Sequence, residues 1–342
     1  MICSTGHRGF TRGRDLPCHS AQVKAANDRN AACYSRLPIP SLSDVRVTEA
    51  QRTSSPMAQT ARIRKPLPES PPLGVSAPAS PGSESTPRPP LKWAGGKRWQ
   101  LPHLRPFWER QHGVRLVEPF CGGLAVALGL RPDVALLNDV NPHVINFYRW
   151  LKRGLDADVA MENNATTYYA NRTRFNELLA TDRGDSAEAA ALFYYLNRTG
   201  YNGLCRFNRR GEFNVPFGRY KHLEYRSDFS EYVRGFVGFE FTNDDFESIP
   251  LTATDFVYAD PPYDVDFRNY SKDGFGWDEQ IRTAEWLALH RGPVILSNQA
   301  TDRIVKLYRK LGYDVLYLTA PRLISCTGDR TPAKEVLATR NL

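Results

Sequence analysis

Short apolar runs, each ending in a polar or glycine-containing turn, alternate with helical patterns along residues 115–340. The runs predict strands at residues 115–117, 134–137, 238–241, 255–259, 293–298, 314–319 and 335–339. Helical patterns lie between most of them, at residues 124–128, 142–151, 173–180, 187–196, 277–290 and 300–311. Because unbroken apolar strands are covered on both faces, this alternation predicts an α/β fold with a mostly parallel, Rossmann-like sheet.

The first 88 residues lack this pattern. Residues 1–90 hold 13 of the 25 prolines but only two of the 39 aromatic residues. A segment with so little apolar surface cannot offset the conformational entropy that it would lose on folding. We therefore expect residues 1–88 to form a disordered tail rich in Pro, Ser and Arg.

The alternation of strands and helices is also interrupted between residues 151 and 234. Helical patterns in this stretch lead to a polar and aromatic segment, in which residues 204–216 read as a β-hairpin with its tip near Arg209 and Arg210. The chain therefore divides into a first core part at residues 89–150, an insertion at 151–234 and a second core part at 235–342.

The net charge of +8 arises mostly in the tail. Residues 1–90 contain 12 Lys and Arg against 6 Asp and Glu, whereas the other residues contain 33 against 31. A nucleic-acid surface must therefore be argued from local clusters of charge. The sequence shows no CxxC pair, no secretory leader pattern and no apolar run long enough to cross a membrane. We expect a cytoplasmic protein that binds neither a metal nor a membrane.

Asp260, Pro261, Pro262 and Tyr263 directly follow the apolar run at residues 255–259. The two prolines fix their own φ angles and stiffen the corner at the end of the strand. A carboxylate, the Pro261 carbonyl and an aromatic ring suit a planar exocyclic amine, because two acceptors take its two hydrogens and the ring stacks on the base. This chemistry indicates methylation of a nucleobase amine, although these four residues alone would favour an ordinary turn.

Two glycine-containing turns precede this corner. The first, LKWAGGK, places a glycine pair between Trp93 and Lys97, where the backbone could approach a ligand closely. A solvated turn with Trp93 packed on the core is equally compatible with these residues. The second turn, EPFCGG, follows the first predicted strand, as in the ligand-binding turn of a Rossmann-like unit. Asp139 follows Gly122 by 17 residues, near the spacing at which an acid reaches a ribose hydroxyl.

The segment from residue 197 to residue 226 combines basic and aromatic side chains. It contains seven Lys and Arg against two Glu, interleaved with six Tyr and Phe. Arginine contacts phosphates and guanine edges, asparagine reads adenine, and aromatic rings wedge into base stacks. Standing alone, the segment would favour a solvated basic loop. Inserted in a nucleotide-binding core, it indicates recognition of nucleic acid.

Taken together and in order, these blocks resemble the Dam family of DNA adenine N6-methyltransferases over roughly residues 90–340. The matching blocks are LKWAGGK (91–97), VEPFCGG (117–123), LNDVN (137–141), LNRTGYNGLCRFNRRGEFNVPFGRYK (196–221), DPPY (260–263), SN (297–298) and RLISCTGDR (322–330). The resemblance implies a Rossmann-like methyltransferase core with an inserted helical and β-hairpin domain that recognises double-stranded DNA. It also implies S-adenosylmethionine as the methyl donor.

The resemblance further implies which residues bind the donor. In the family, the tryptophan and second lysine of the first block line the donor pocket, the phenylalanine–glycine turn surrounds the methionine part, and the strand-terminal acid binds the ribose. The implied donor-binding residues are Trp93, Lys97, Phe120, Gly122, Asp139, Asp245, Phe246 and Asp260. For Asp245, capping of a helix is an equally good interpretation of the residue type.

For DNA, the family inserts its YNGLxR segment into the duplex. The resemblance therefore implies that Tyr201 wedges beside an extrahelical base while its neighbours read the adjoining bases. The implied DNA-binding residues are Lys92, Tyr201, Asn202, Leu204, Arg206, Arg209, Arg210, Pro216 and Arg219. Because the YNGLxR positions, Lys92 and Pro216 match the members that read GATC, the expected target is GATC, bound by a monomer.

In this scheme the target adenine leaves the duplex, as base-modifying enzymes require, and stacks on Tyr263. Methyltransferases for cytosine N4 or glutamine resemble Ser-Pro-Pro-Tyr or Asn-Pro-Pro-Tyr patterns, so Asp260 favours adenine. A catalytically silent DNA-binding protein is the other alternative. One departure favours it, because Leu124 stands where the family usually has a glycine and would be strained if that position needs a positive φ.

Overall fold

The computed structural model of the chain describes residues 87–156, 159–264, 275–320 and 333–342. The expected disordered tail therefore lies outside the described residues, except for Pro87 and Arg88. The block at residues 322–330 also lies outside them.

Within the described residues, seven strands form one sheet. The strands are β1 (Leu116–Glu118), β2 (Ala135–Asn138), β3 (Phe239–Thr242), β4 (Phe256–Ala259), β5 (Val294–Gln299), β6 (Asp314–Ala320) and β7 (Ala333–Arg340). They lie in the order β3-β2-β1-β4-β5-β7-β6, and β7 runs in the opposite direction to the other six. Each predicted strand overlaps an observed one, and the mostly parallel, Rossmann-like sheet is confirmed.

Helices cover both faces of this sheet. In the described part of the chain they are α1 (Leu101–Trp108), α2 (Ala125–Leu130), α3 (Pro142–Arg153), α4 (Ala165–Ala180), α5 (Ala187–Thr199), α6 (Ser230–Gly235), α7 (Trp277–Ala288) and α8 (Asp302–Lys310). Alternate residues of β4 point to opposite faces, so Phe256 and Tyr258 join the cluster with α1 to α6, while Val257 and Ala259 join α7 and α8. Among the helices of the described residues, none has the length and apolar character needed to cross a bilayer.

The stretch between α3 and β3 contains α4, α5 and α6, and its buried side chains share one hydrophobic cluster with the sheet. The expected hairpin at residues 204–216 is reduced to a single antiparallel bridge between Phe207 and Phe213. Hydrogen bonds from the Asn208 N–H to the Glu212 carbonyl (2.9 Å) and from the Asn214 N–H to the Arg206 carbonyl (3.1 Å) flank it. The loop thus keeps the hairpin path with little strand pairing, and its role as part of a recognition domain stays a prediction.

Candidate functional site

The candidate site lies where the parallel strands β1, β2, β4 and β5 end. Because their carboxyl ends meet at one edge of the sheet, the turns that follow them converge there. The turn after β1, the acid after β2 and the corner after β4 are the three parts that the sequence singled out.

The turn between β1 and α2 takes a left-handed backbone at two positions. Gly122 has φ +42° and Leu124 has φ +59°. Leu124 immediately precedes α2, its N–H donates to the Cys121 carbonyl (2.8 Å), and its side chain is fully buried. The condition for strain at Leu124 is therefore met, at a cost of about 1–2 kcal/mol for a left-handed L-residue. Burial of a leucine side chain is worth about 1.5–3 kcal/mol, which is enough to offset it.

Trp93 packs directly against this turn. A Cβ atom added to Gly122 would lie 2.6 Å from Trp93 Nε1, and one added to Gly123 would lie 2.8 Å from Trp93 Cβ. Both positions therefore need glycine because the Trp93 side chain occupies the space where another side chain would start. This contact brings the first block of the sequence onto the turn after β1.

Asp139 holds the same turn from the end of β2. Its Oδ2 accepts the Gly122 N–H (3.0 Å) and its Oδ1 accepts the Asn141 N–H (2.9 Å). Burial raises the pKa of Asp139, and these two backbone hydrogen bonds act against that rise. The structure thus places Asp139 beside Gly122, as a ribose-binding acid next to a donor turn would require.

Phe120 and Phe246 form an aromatic pair, with ring centroids 5.4 Å apart. The guanidinium of Arg282 covers Phe246, 4.1 Å from its ring centroid, and forms an ion pair with Asp245. Asp245 also caps the short 3₁₀ turn Phe246–Ser248 by accepting the Glu247 N–H (3.0 Å). The capping interpretation of Asp245 is therefore observed, together with an arginine contact that the sequence did not suggest.

At the corner after β4, the ammonium group of Lys97 lies near both the Asp260 carboxylate and the Tyr263 ring. Its Nζ lies 3.0 Å from Asp260 Oδ2 and 4.5 Å from the Tyr263 ring centroid, and it donates to the Gly95 carbonyl (2.7 Å). Burial raises the pKa of Asp260 to about 6, and the Lys97 ammonium limits that rise. Among the described residues, none gives a hydrogen-bond partner to the other oxygen, Oδ1, which is buried. An unsatisfied buried acceptor is costly and marks a place for a ligand donor.

The proline corner itself is held from behind. Pro261 is buried and Pro262 is exposed. The Pro262 carbonyl accepts a hydrogen bond from Gln280 Nε2 (2.7 Å), and Gln280 Oε1 in turn accepts one from Asn298 Nδ2 (2.8 Å). The proline rings stiffen the corner itself, and the side chains of Gln280 and Asn298 fix it to α7 and β5.

The expected DNA-contacting segment lies against Lys92. A Cβ atom on Gly203, in the YNGL turn, would come within 2.3 Å of Lys92 Cβ, so glycine is required there. Lys92 Nζ donates to the Arg198 carbonyl (2.9 Å) and lies 3.6 Å from the Tyr220 ring centroid. Burial first, and then Arg198, lower the pKa of Lys92 to about 8. Tyr220 was not among the expected site residues.

Three more of the expected residues belong to this turn. Tyr201, Asn202 and Leu204 are all exposed, and Asn202 has φ +53°. The Pro216 carbonyl accepts the Tyr201 N–H (2.9 Å), so Pro216 fixes the backbone of the turn at Tyr201. The three exposed side chains therefore project from one turn, and their expected roles as wedge and base contacts stay predictions.

The four arginines of this segment that were expected to contact DNA divide into two kinds. Arg206 is tied to Asn214 through Nε–Oδ1 (2.7 Å) and Nη2–carbonyl (3.1 Å) hydrogen bonds. Arg209 and Arg210 are exposed at the tip of the loop, and Arg219 is exposed with φ +50°. The structure thus orients Arg206 within the segment and leaves the other three at its surface.

The model of the family described as D12 class N6 adenine-specific DNA methyltransferases matches residues 93–322 of this chain. The chain belongs to this family. It is similar to the DNA N-6-adenine-methyltransferase of Escherichia phage P1, with 37% identity over 266 residues that make up 72% of this chain and 34% of the phage protein. It is also similar to the retron Ec67 DNA adenine methylase of Escherichia coli, with 35% identity over 262 residues, or 72% of this chain and 90% of that protein.

A third relative is the DNA adenine methylase of Salmonella typhimurium, with 34% identity over 269 residues that cover 72% of this chain and 93% of the relative. The chain thus spans about a third of the phage protein but about nine-tenths of the other two. The resemblance to Dam proteins is confirmed. Membership of the D12 class implies transfer of a methyl group from S-adenosylmethionine to adenine in DNA.

The residues of this D12 site fit the methyl donor. Asp139 lies at the glycine turn, Phe120 of the same turn pairs with Phe246, and the buried Oδ1 of Asp260 has no hydrogen-bond partner among the described residues. When bound, S-adenosylmethionine supplies a methyl group activated by its positive sulfur. The acids and rings of the chain would orient the groups around it.

Sequence reasoning missed two buried acids in this D12 site. Glu118, the last residue of β1, is 2% exposed, and within the described residues its Oε1 has no hydrogen-bond partner. Burial raises the pKa of Glu118 to about 8. Glu335 on β7 accepts the hydroxyl hydrogen of Tyr263 (2.6 Å). Glu118 could have been suspected as an acid inside an apolar strand, whereas no local pattern distinguishes Glu335.

Proposed function

We propose that this D12 methyltransferase methylates adenine N6 within GATC in double-stranded DNA, acting as a monomer on an adenine turned out of the duplex. The observation that carries the proposal is the Lys97–Asp260–Tyr263 cluster at the end of β4. It stands with the turn at residues 119–124, between β1 and α2, which we call the donor turn. It combines an acceptor and a ring for the adenine with a cation that keeps the acceptor ionised.

Segment 91–97 supports the pairing of a donor site with a DNA surface. Its Lys92 packs on the exposed turn at residues 201–204, its Trp93 packs on the donor turn, and its Lys97 reaches Asp260. The Lys92 N–H also donates to Asn197 Oδ1 (2.8 Å), at the end of α5. One short segment therefore joins the three places that the reaction needs.

The exocyclic amine of adenine is a poor nucleophile because its lone pair is delocalised into the ring. We propose that the Asp260 carboxylate and the Pro261 carbonyl each accept one N–H bond of the amine, which favours a pyramidal nitrogen with a localised lone pair. The Tyr263 ring holds the base plane, and Lys97 keeps Asp260 ionised. Positioning and directed hydrogen bonds thus supply the catalysis.

Sequence readout is assigned to the exposed turn. Tyr201 fills the space that the adenine leaves, and Asn202, Leu204 and Arg206 contact neighbouring bases, with Lys92 and Pro216 at the same surface. Arg209, Arg210 and Arg219 hold phosphates, which adds affinity without sequence preference. The names of the DNA adenine methylase relatives agree with adenine as the target base.

The test is methyl transfer from labelled donor to matched duplexes. One duplex contains GATC, a second contains the same bases in scrambled order, and a third carries N6-methyladenine in both strands of GATC. We expect label only in the first, recovered as N6-methyladenine after nucleoside digestion. Label in cytosine, or equal label in the scrambled duplex, would show that the proposed target is wrong.

Two substitutions separate catalysis from readout. Asp260→Ala should abolish transfer while leaving the protein folded and DNA binding close to wild type. Arg206→Ala should weaken discrimination at one base pair by roughly 1–3 kcal/mol, and Arg209→Ala, its matched control, should weaken binding to all sequences alike. An unchanged sequence preference in Arg206→Ala would remove Arg206 from the reading set.

A further inference from the structure

A closed group of hydrogen bonds lies behind Tyr263. Its hydroxyl donates to Glu335 Oε2 (2.6 Å) and lies 3.1 Å from Ser297 Oγ. Burial first, and then Asp260, raise the pKa of Tyr263 well above its usual range, so the hydroxyl keeps the proton that it donates. A short bond from a neutral hydroxyl to a carboxylate is among the stronger hydrogen bonds in proteins.

Gln100 closes the group from the other side. Its Nε2 donates to the same Glu335 oxygen (3.0 Å) and to Ser297 Oγ (3.0 Å), while its Oε1 accepts the Tyr258 hydroxyl (2.8 Å). Gln100 and Ser297 are fully buried and Glu335 is 8% exposed. In such low-dielectric surroundings a satisfied polar network is rigid, and losing one member leaves the others unpaired.

Glu335 reaches this place through the position of its strand in the sheet. β7 inserts antiparallel between β5 and β6, which pairs Glu335 with Gln299 at the carboxyl end of β5. Residue 335 lies beyond the match to the D12 family, which ends at residue 322. The strand that completes the sheet thus delivers an acid to the rear of the DPPY corner.

We infer that Glu335 is a positioning residue for methyl transfer: its carboxylate holds the Tyr263 hydroxyl and thereby fixes the ring on which the target adenine stacks. This inference rests on the proposed function, in which the adenine stacks on Tyr263. Because Glu335 holds its hydroxyl and the Lys97 ammonium lies near its ring, the Tyr263 side chain has few accessible rotamers. Acid, cation and ring then meet the base as one preformed unit.

Three substitutions test this role. Tyr263→Phe keeps the ring and removes the bond, Glu335→Met removes the acceptor at similar volume, and Glu335→Gln keeps an oxygen that can accept the same bond. Because misplacement of a reacting group by about 1 Å can cost up to about 100-fold, we expect the first two to lower kcat about tenfold with KM for DNA nearly unchanged. Glu335→Gln should keep kcat within about threefold of wild type.

If Glu335 acts through Tyr263, the double variant Tyr263→Phe/Glu335→Met should be no slower than either single variant. Thr339→Val is the matched control, because it removes a hydroxyl from the same strand outside this group and should retain wild-type kcat. Thermal unfolding and binding of labelled donor check that each variant is folded. If Glu335→Met does not fold, the kcat values of Tyr263→Phe and Glu335→Gln are compared instead. Both variants keep nearly the full side-chain volume in the core, so both should fold.

A fluorescent base distinguishes failure of the inference from failure of the proposed function. 2-Aminopurine in place of the target adenine brightens when it leaves the duplex and is quenched when it stacks on a ring. We expect wild type to give a rise in fluorescence and Tyr263→Phe and Glu335→Met to give a larger one, because a loosely held ring stacks less well. No rise with wild type or with either variant would refute base flipping. A rise that is equal in all variants, with equal kcat, would overturn the role of Glu335.

Discussion

Replacing Lys97 with methionine tests how Asp260 stays ionised inside the site. The pKa of Asp260 is raised to about 6 by burial even though Lys97 Nζ lies 3.0 Å from its Oδ2. An opposite charge this close lowers a carboxyl pKa by about 1–3 pH units, so Lys97→Met should raise the pKa of Asp260 by that amount. With a rise of about 2 pH units, the carboxylate fraction at pH 7 falls about tenfold, from about nine-tenths to about one-tenth.

The reaction needs the carboxylate, so activity lies above the pKa of Asp260 and is lost as the pH falls through it. The acid limb of the kcat/KM profile for DNA, measured at saturating donor between pH 5 and 10, reports this pKa. We expect the limb of Lys97→Met to move to higher pH, with activity largely recovered near the upper end of the range.

Lys97→Arg is the matched variant, because it keeps the charge while changing the shape of the side chain. Its acid limb should stay near that of wild type even if its maximal rate falls. A Lys97→Met profile that is lower at every pH but unmoved along the pH axis would refute the reasoning. Such a result would assign Lys97 to donor binding alone.

Three further predictions concern Glu118, Leu124 and Lys92. Because burial raises the pKa of Glu118 from 4.5 to about 8, its contribution to the free energy of unfolding should fall as the pH rises between these values. Glu118→Gln should therefore raise the free energy of unfolding, and with it the melting temperature, more at pH 8 than at pH 5. The difference in free energy is at most about 5 kcal/mol, and an equal gain at both pH values would contradict this prediction. Leu124→Gly relieves the strain of a leucine with a positive φ but removes a buried side chain. Urea unfolding should therefore show that the free energy of unfolding falls by about 1–4 kcal/mol, and a rise would contradict this prediction. DNA affinity should weaken as the pH rises through about 8, where Lys92 loses its charge, and fluorescence anisotropy should show less of this weakening in Lys92→Met.

The sheet could be predicted from the sequence because its strands are buried on both faces and read as apolar runs. β4, for instance, is fully buried along Phe256–Ala259, and its run stands out from the polar residues on either side. Helix α1 was missed because Pro102 and Pro106 interrupt its pattern, although Pro102 stands in the first turn, where proline is tolerated. α6 was missed because its six residues are too short for a helical period to show.

The candidate site could be predicted where neighbouring residues form a motif, as at Asp260–Tyr263. It could not be predicted where the contact depends on strand order. Glu335 occupies an ordinary strand position, and only the insertion of β7 beside β5 brings it within reach of Tyr263. Arg282 likewise meets Asp245 only because α7 packs next to the 3₁₀ turn that follows Asp245.

The insertion of β7 between β5 and β6 also bears on when the site comes into existence during synthesis. β6 emerges from the ribosome before β7, yet it has no place in the sheet until β7 lies beside β5. A nascent chain that has reached residue 320 therefore carries the donor turn and the DPPY corner but leaves Tyr263 without its acceptor. By this ordering, full methylating activity should appear only after residue 335 has been made and paired, and a chain cut between β6 and β7 should keep its motifs but transfer methyl groups slowly.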